Sequence, residues 1–283
     1  MSIAASLNTL RGVRDAIRDA IVGKGGSLPP GSPMGSYAQA ITNLPSGGGG
    51  DTEIPFRSRL TVPDDTDPWH LTSLTATQFR NYAFRDDKLL TTVSLPAATS
   101  IGTYAFYGCS SLTTASLPAA TFINSSAFSY CSALTTADFP AATSINNSAF
   151  ERCSKLTTAD FPLVTSIGTN AFNGCSSLTT ASLPAATSIS DYAFRDCTSL
   201  TTADFPLATS ISGYAFNGCS SLTSLTLSKN QVATLSNANA LQNTPIASGT
   251  GYVYVPDNLV DQYKAATNWN TYANQILPIS QKP

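Results

Sequence analysis

Charged residues are scarce in this chain of 283 residues. Lys, Arg, Asp and Glu make up 11% of the sequence and the formal net charge is −2, whereas soluble proteins average about 25% charged residues. The chain therefore lacks a basic surface for the phosphates of a nucleic acid, and we expect no nucleic-acid partner. His70 is the only histidine, and Glu53 and Glu151 are the only glutamates. We therefore expect no metal site and no cofactor, and paired-carboxylate catalysis would have to use aspartates.

Long apolar runs are also missing. No stretch approaches the ~20 residues that span a bilayer, so we expect no membrane insertion. The first 24 residues are interrupted by Arg11, Arg14, Asp15, Arg18 and Asp19, where a signal peptide would need an unbroken apolar segment. These features lead us to expect a protein that is made in a cytoplasm.

A repeat of 22 residues dominates the sequence instead. Four columns of residues recur at this spacing, and Asp87 takes the first place in the cysteine column. The phenylalanine column is Phe84, Phe106, Phe128, Phe150, Phe172, Phe194 and Phe216; the cysteine column is Cys109, Cys131, Cys153, Cys175, Cys197 and Cys219; the leucine column is Leu90, Leu112, Leu134, Leu156, Leu178, Leu200 and Leu222; the isoleucine column is Ile101, Ile123, Ile145, Ile167, Ile189 and Ile211.

Each turn follows the pattern L-x-x-[AV]-x-[LF]-P-x-[AV]-T-x-I-x-x-x-A-F-x-x-C-x-x. The opening L-x-x-Φ-x-Φ predicts a strand with inward apolar side chains. Proline ends that strand, as at Pro96 and Pro118, because it cannot donate to a β-ladder. The spacing in I-x-x-x-A-F-x-x-C favours a short helical or 3-10 segment. One turn cannot bury its own apolar face, so we predict that stacked turns share a continuous core.

This register resembles the BspA-like subfamily of leucine-rich repeats. The resemblance covers about residues 74–228 and rests on seven copies of the pattern I…AF..C..L…..P. It implies an α/β repeat solenoid with parallel strands, and it implies adhesion, because BspA-like proteins are implicated in host attachment. The C-terminal residues 229–283 also resemble the end of such chains, where a strand (251–255) and a helix from Asp257, a good N-cap, close the solenoid. Trp269 and Tyr272 are interpreted as packing residues of this cap.

The six cysteines are interpreted as a buried column of small side chains. A metal site needs ligands a few residues apart or grouped with histidine, whereas every spacing here is 22 residues. Stacking would bring neighbouring cysteines within disulfide range, but their Cβ vectors should be parallel rather than convergent. Reduced thiols also fit a protein that folds in a cytoplasm.

The N-terminal residues form a separate unit in the sequence. Within residues 1–45, residues 1–24 predict one amphipathic helix and residues 34–44 a second, short helix. Residues 46–50 predict a glycine-rich linker, and residues 51–73 contain a predicted strand, IPFRSRLTV, that covers the first turn. The apolar faces of the two helices should pack on a partner or on copies of the chain. The residues expected to make these contacts are Ile3, Leu7, Leu10, Ile17, Ile21, Tyr37 and Ile41.

This unit resembles the N-terminal segment of tail, fibre and other structural proteins of bacteriophages and prophages. The resemblance lies in an A-I-x-x-A-I helix, a Lys-Gly turn at Lys24 and Gly25, and a short Y-x-x-x-I helix. It implies that residues 1–45 bind virion structural proteins, with a homo-oligomer as the expected assembly.

Two surfaces are candidates for binding. The outward strand positions predict a ladder of hydroxyl groups that could bind glycans, or order water as an ice-binding solenoid does; a plain strand preference of threonine is the alternative. The positions around Ala-Phe vary from turn to turn while the apolar columns repeat, and they are rich in Tyr and Arg, as a recognition surface requires. The alternative is that these surface positions vary in sequence only because nothing constrains them. The candidate residues are Thr114, Thr136, Thr158 and Thr180 on the strands, and Arg85, Tyr104, Tyr107, Tyr130, Arg152, Tyr192, Arg195 and Tyr214 around Ala-Phe.

Catalysis has weak support. Asp138 and Asp160 share a column on adjacent turns, and stacked strands would place them about 5 Å apart, near the carboxylate spacing of retaining glycosidases. Serine fills the same column in other turns, as at Ser116 and Ser182, which favours a solvated strand surface. We therefore predict no catalytic residues and no enzyme, with a glycan depolymerase as a remote alternative.

The parts together predict a non-enzymatic virion appendage, a head or tail fibre or a decoration protein. Its N-terminus would bind the particle and its repeats would bind host cell-surface glycan or protein. The expected location is the virion surface, which lysis exposes without export. The alternatives are a bacterial BspA-like surface or secreted adhesin and a structural spacer without a ligand.

Overall fold

A computed structural model describes residues 69–72, 77–79 and 81–283. The predicted helices of residues 1–45, the glycine linker and the IPFRSRLTV segment lie outside the described residues. Within the described part, no helix has the length and apolarity that a bilayer crossing requires.

The described turns stack into a solenoid whose strands are all parallel. The first row of strands contains the L-x-x-Φ-x-Φ segments and pairs turn to turn in the 22-residue register, as Thr114 pairs with Thr136. A break after the fourth strand divides this row into sheets of four and six strands. The four-stranded sheet contains β1 (Trp69–Thr72), β3 (Leu90–Ser94), β5 (Thr114–Ser116) and β7 (Thr136–Asp138); the six-stranded sheet contains β9 (Thr158–Asp160), β11 (Thr180–Ser182), β13 (Thr202–Asp204), β15 (Ser224–Thr226), β17 (Tyr252–Val255) and β18 (Ile276–Pro278).

A second sheet, which the sequence did not predict, contains the isoleucine column. Its eight two-residue strands also pair in parallel, and each strand of a repeat turn buries its isoleucine. Two residues are too few for an alternating pattern, which is why periodicity missed them. The strands are β2 (Gln78–Phe79), β4 (Ser100–Ile101), β6 (Phe122–Ile123), β8 (Ser144–Ile145), β10 (Ser166–Ile167), β12 (Ser188–Ile189), β14 (Ser210–Ile211) and β16 (Thr234–Leu235).

The core lies between these sheets and the Ala-Phe segments, and it confirms the predicted columns. The Phe, Cys, Leu and Ile columns are all buried. The phenylalanine rings form a continuous stack, with the centroids of Phe106 and Phe128 5.1 Å apart and those of Phe194 and Phe216 5.4 Å apart. Each turn thus buries its apolar face against the next, as a solenoid requires.

The Ala-Phe segments differ in detail from the helical or 3-10 expectation, because they form consecutive β-turns. In the second turn, the N–H groups of Tyr107 and Cys109 donate to carbonyls three residues earlier, while those of Tyr104, Phe106 and Gly108 donate to the next turn at 2.8–3.1 Å. Since alternate N–H groups are used between turns, a continuous helical ladder cannot form.

The C-terminal residues close the solenoid. Two short α-helices, α1 (Pro245–Ser248) and α2 (Val260–Ala265), and 3-10 helices at Ala238–Leu241, Asp257–Leu259, Trp269–Gln275 and Ile279–Gln281 surround β17 and β18. Trp269 is buried, and its indole Nε1 donates to the carbonyl of Ala233 at 2.7 Å. The predicted N-cap was wrong, because the Asp257 carboxylate accepts from the Ser280 backbone N–H instead.

Candidate functional site

Two positions in every repeat turn have a left-handed backbone. The first precedes Ala-Phe and is held by Tyr82, Tyr104, Ser126, Ser148, Asn170, Tyr192 and Tyr214; the second lies four residues later and is held by Asp86, Gly108, Tyr130, Arg152, Gly174, Asp196 and Gly218. Glycine and asparagine adopt this conformation most easily, and for a bulky side chain it costs roughly 1–2 kcal/mol. Backbone conformation alone therefore disfavours large side chains at these positions.

Four tyrosines and two arginines from the first four turns form one continuous cluster at and beside these positions, which we call the first tyrosine patch; Arg85 and Tyr107 lie between the two left-handed positions of their turns. It contains Tyr82, Arg85, Tyr104, Tyr107, Tyr130 and Arg152. The rings of Tyr82 and Tyr104 are stacked with centroids 5.2 Å apart, and Tyr104 meets Tyr107 edge-on at 5.5 Å. The ring of Tyr107 then contacts that of Tyr130 at 5.4 Å.

Arginine covers both ends of this patch. The Arg85 guanidinium lies 5.2–5.8 Å from the centroids of Tyr82, Tyr104 and Tyr107, and that of Arg152 lies 5.7 Å from Tyr130. The patch is open to solvent, since Tyr82 is 51% and Tyr130 is 42% exposed. Cation–π contacts at such exposed sites contribute about 0.5–1 kcal/mol each, which is enough to orient the side chains.

A smaller cluster, the second tyrosine patch, lies on the sixth and seventh turns and contains Tyr192, Arg195 and Tyr214. The two rings stack at 5.1 Å, and the Arg195 guanidinium lies 5.6 Å from the Tyr192 centroid. The Tyr214 hydroxyl accepts from the amide of Asn239 at 3.0 Å. The fifth turn separates the two patches with small residues, Asn170, Asn173 and Gly174.

The threonine positions form a different surface, on the outer face of the first row of strands. Thr158, Thr180 and Thr202 are exposed and pair in register. Within the described part of the chain, the hydroxyls of Thr114, Thr136, Thr158 and Thr180 make no hydrogen bond. These hydroxyls are available to solvent or to a ligand.

Neighbouring threonine columns use their hydroxyls internally. The Thr113, Thr135 and Thr179 hydroxyls donate to the carbonyl one turn earlier at 2.9–3.1 Å, and the column that includes Thr99 and Thr209 does the same beside the second sheet. The abundance of threonine is therefore explained in part by side-chain bonds that join successive turns.

Asp138 and Asp160, the expected carboxylate pair, lie on neighbouring turns but in different sheets. Asp138 ends the four-stranded sheet and Asp160 begins the six-stranded one, so the two residues are not ladder partners. The Asp138 carboxylate accepts from the Ser116 hydroxyl at 2.8 Å, and both aspartates are exposed. In the described residues there is also no cluster of three potential metal ligands.

The cysteine column matches its interpretation. All six thiols are free and buried, and each Sγ donates to the carbonyl of the phenylalanine 25 residues earlier at 3.0–3.2 Å. Burial raises the pKa of Cys131, Cys153, Cys175 and Cys197. Such neutral, buried thiols are poor nucleophiles and poor metal ligands.

A family model described as the BspA type leucine rich repeat region, in six copies, matches residues 77–197 and 143–259. The chain belongs to the BspA-type leucine-rich repeat family. The match does not include residues 1–45, so their likeness to virion proteins stays a prediction. No curated protein matches the chain.

Several solved structures are similar to this BspA-type chain. A leucine-rich cell surface protein from Faecalibacterium prausnitzii is 24% identical with a TM-score of 0.44, and the match covers 63% of this chain and 64% of that one. A leucine-rich repeat protein from T. pallidum is 29% identical with a TM-score of 0.49, covering 52% of this chain and 71% of that one. A leucine-rich repeat protein from Bacteroides ovatus is 15% identical with a TM-score of 0.28, covering 72% and 87%.

All eight residues predicted around Ala-Phe lie in the two tyrosine patches. The four predicted threonines lie together on the other surface. The residues expected to contact a particle, from Ile3 to Ile41, lie outside the described residues. The predicted set of site residues left out Tyr82, Asp86 and Asp196, which belong to the same variable positions around Ala-Phe, in the string YAFRD at 82–86 and again at 192–196.

Proposed function

We propose that this BspA-type protein is a non-enzymatic attachment protein, and that its tyrosine patches bind host cell-surface glycan or protein. The observation that carries the proposal is the placement of Tyr82, Tyr104, Tyr130 and Arg152 at left-handed positions. The frame accepts Ser, Asn or Gly there in other turns, so bulky residues that strain the backbone need a reason outside the fold. Exposed Tyr and Arg on a rigid scaffold are the residues that most often carry binding energy.

Cell binding by the full chain tests this proposal. The variant Tyr82→Ser/Tyr104→Ser replaces two rings with the residue that Ser126 and Ser148 supply at the same position, so the solenoid should still fold. The control variant Thr158→Val/Thr180→Val changes the threonine surface instead. We expect the tyrosine variant alone to lose binding to whole bacteria and immobilised mucin, by tenfold or more. Loss in the threonine variant alone would assign attachment to the strand surface and overturn the proposal.

We further propose that residues 1–45 attach the chain to a virion as a homo-oligomer, with the glycine linker giving reach. The sequence features of that segment support this proposal. Light scattering of the full chain beside a chain that starts at Asp51 tests it, with circular dichroism to check folding. A stable oligomer for the full chain and a monomer for the shorter one is the expected result. Two monomers would exclude self-association as the mode of assembly.

A bacterial surface adhesin is the second candidate function, and membership of the BspA-type family favours it. The two candidates share the attachment surface and differ in what the N-terminal segment binds. Co-sedimentation of the protein with purified virions would support the appendage, whereas exposure on intact bacteria without a particle would support the adhesin.

A further inference from the structure

One structural unit occurs twice along the solenoid. The string YAFRD at residues 82–86 returns at 192–196, and each copy is followed one turn later by a tyrosine and a glycine, at Tyr104 and Gly108 and again at Tyr214 and Gly218. Every other described turn lacks part of this combination. The fourth turn, for example, places Arg152 over Tyr130 without a stacked pair of tyrosines at the first left-handed position.

The two copies share the geometry of the tyrosine pair and of the arginine and aspartate beside it. The tyrosine rings stack at 5.2 Å in the first copy and 5.1 Å in the second. The guanidinium lies 5.6 Å from the first tyrosine ring in both. The arginine Nε lies 3.4 Å from the Asp86 carboxylate in the first copy and 3.3 Å from the Asp196 carboxylate in the second.

Glycine in the following turn is part of this unit. A Cβ on Gly108 would overlap the Asp86 carboxylate, and a Cβ on Gly218 would overlap that of Asp196. Both glycines also have a positive φ, of 70° and 77°. The absence of a side chain at each glycine therefore leaves space for the aspartate of the preceding turn. Each unit consequently consists of five residues from two successive turns that contact one another.

The distance between the copies follows from the stacking. Their equivalent residues are 192 − 82 = 110 positions apart, which is five turns of 22. Parallel strands are spaced by about 4.8 Å, so five turns correspond to ~24 Å along the solenoid. Both units lie on the same edge, because the second sheet keeps one register through all the turns that join them.

The chemistry of each unit indicates its occupant. An arginine presents N–H donors beside an aspartate that presents carboxylate acceptors, and the two charges cancel within the pair. The side chains are half exposed, at 48% and 53% for Arg85 and Asp86 and at 45% and 51% for Arg195 and Asp196. Adjacent hydroxyl groups, which both donate and accept, complement such a pair, and the tyrosine stack adds an amphipathic surface. Neutral sugars with vicinal hydroxyls fit this combination. In the first copy the Lys88 Nζ also lies 3.4 Å from the Asp86 carboxylate, but Thr198 holds the equivalent position in the second copy, so an anionic polymer would gain a charge contact in one unit only.

We propose that the two units are equivalent subsites for one neutral polysaccharide, whose chain contacts both across ~24 Å. This proposal rests on the attachment function proposed above and names its ligand class. A polymer that reaches both subsites gains avidity of roughly 10²–10⁴-fold over binding at one. A fragment too short to reach both occupies each subsite separately.

The test uses the full chain and the variants Arg85→Asn, Arg195→Asn and their combination. Asparagine occupies the same position in other turns at Asn173 and Asn217, so these variants should fold. The probes are immobilised neutral polysaccharides (glucan, mannan, galactan) and anionic ones (alginate, heparin), followed by short oligosaccharides of the polymer that binds. We expect the wild-type chain to bind a neutral polysaccharide and to bind two of its short oligosaccharides per chain. Each single variant should bind one short oligosaccharide, and the double variant should bind none. On the long polymer, each single variant should lose the avidity gain.

Three results would overturn the proposal: no binding to any neutral polysaccharide, one fragment per wild-type chain, or loss of binding in only one single variant. Treatment of whole cells distinguishes failure of the polysaccharide proposal from failure of the attachment function. Periodate, which cleaves vicinal diols, should abolish cell binding, and protease should leave it intact. The reverse result would identify a protein partner, which rejects the polysaccharide inference while leaving attachment through the tyrosine patches in place.

Discussion

The buried thiols predict that the solenoid loses stability in mildly alkaline solution. Burial raises the pKa of Cys131, Cys153, Cys175 and Cys197, whereas an unfolded cysteine titrates at about 8.5. A group whose pKa is raised by folding contributes its full stability below the unfolded pKa. That stability is lost as the pH rises towards the folded pKa, because only the unfolded chain can release the proton.

The size of this loss follows from the number of thiols. Each pH unit above the unfolded pKa costs about 1.4 kcal/mol for each such group. At pH 9.5, four such thiols reduce the free energy of unfolding by at most roughly 6 kcal/mol, which is comparable with the whole stability of many domains. The range between pH 7.5 and 9.5 isolates this effect, since tyrosine and lysine titrate at about 10 and above.

Urea unfolding of the full chain at several pH values, with a reducing agent present, measures the effect. The matched variant Cys153→Ala removes one of these thiols, so its stability should fall less steeply with pH than that of the wild type. The slope is independent of whatever the substitution costs at neutral pH. A loss smaller than about 1.4 kcal/mol between pH 7.5 and 9.5, the share of a single thiol, would refute the reasoning.

Three further tests concern bonds and close contacts in the repeats and in the C-terminal cap. Thr179→Val should reduce the free energy of unfolding by about 1 kcal/mol, because the Thr179 hydroxyl donates to the carbonyl of Thr157 at 3.1 Å. The adjacent Thr180→Val should change it by less than about 0.5 kcal/mol. Equal costs in thermal unfolding would contradict an internal role for Thr179 and an exposed position for Thr180. Gly218→Ala should destabilise by at least roughly 1 kcal/mol, and Asp196→Ala should relieve part of that loss in a double-mutant cycle; additive effects would argue against the overlap. Tyr263→Phe should cost about 1–3 kcal/mol, because the hydroxyl accepts from the buried Ala233 N–H at 2.9 Å, and an unchanged melting temperature would show that this bond does not hold the cap.

Predictions from the sequence were most accurate for positions whose side chain has the same structural role in every turn. The columns represented by Leu112, Ile123, Phe128 and Cys131 are buried as predicted, because burial depends only on the repeat and on apolar character. The strand that ends before Pro118 also follows the prediction. These features determine the fold without reference to any neighbour outside the repeat.

Features that depend on backbone conformation or on contacts between turns were harder to predict. Tyrosine at position 104 carries no signal for a left-handed backbone, so the contact of Arg85 with three rings could not be seen. The break between β7 and β9, which leaves Asp138 and Asp160 without ladder pairing, has no counterpart in the repeat pattern. The bond from the Asp257 carboxylate to Ser280 joins residues 23 positions apart, beyond the reach of a capping rule.

The central claim is that the tyrosine patches are the surface that meets the host. Hydroxyl-radical footprinting of the full chain, free and bound to cells, tests it without any substitution. Tyr82 and Tyr130 are exposed within the first patch, while Phe122 on the second sheet and Tyr252 near the C-terminus are exposed elsewhere, at 51% and 38%. The account predicts that binding protects Tyr82 and Tyr130 from oxidation and leaves Phe122 and Tyr252 unchanged. Protection at Phe122 or Tyr252, with Tyr82 and Tyr130 still fully reactive, would contradict it.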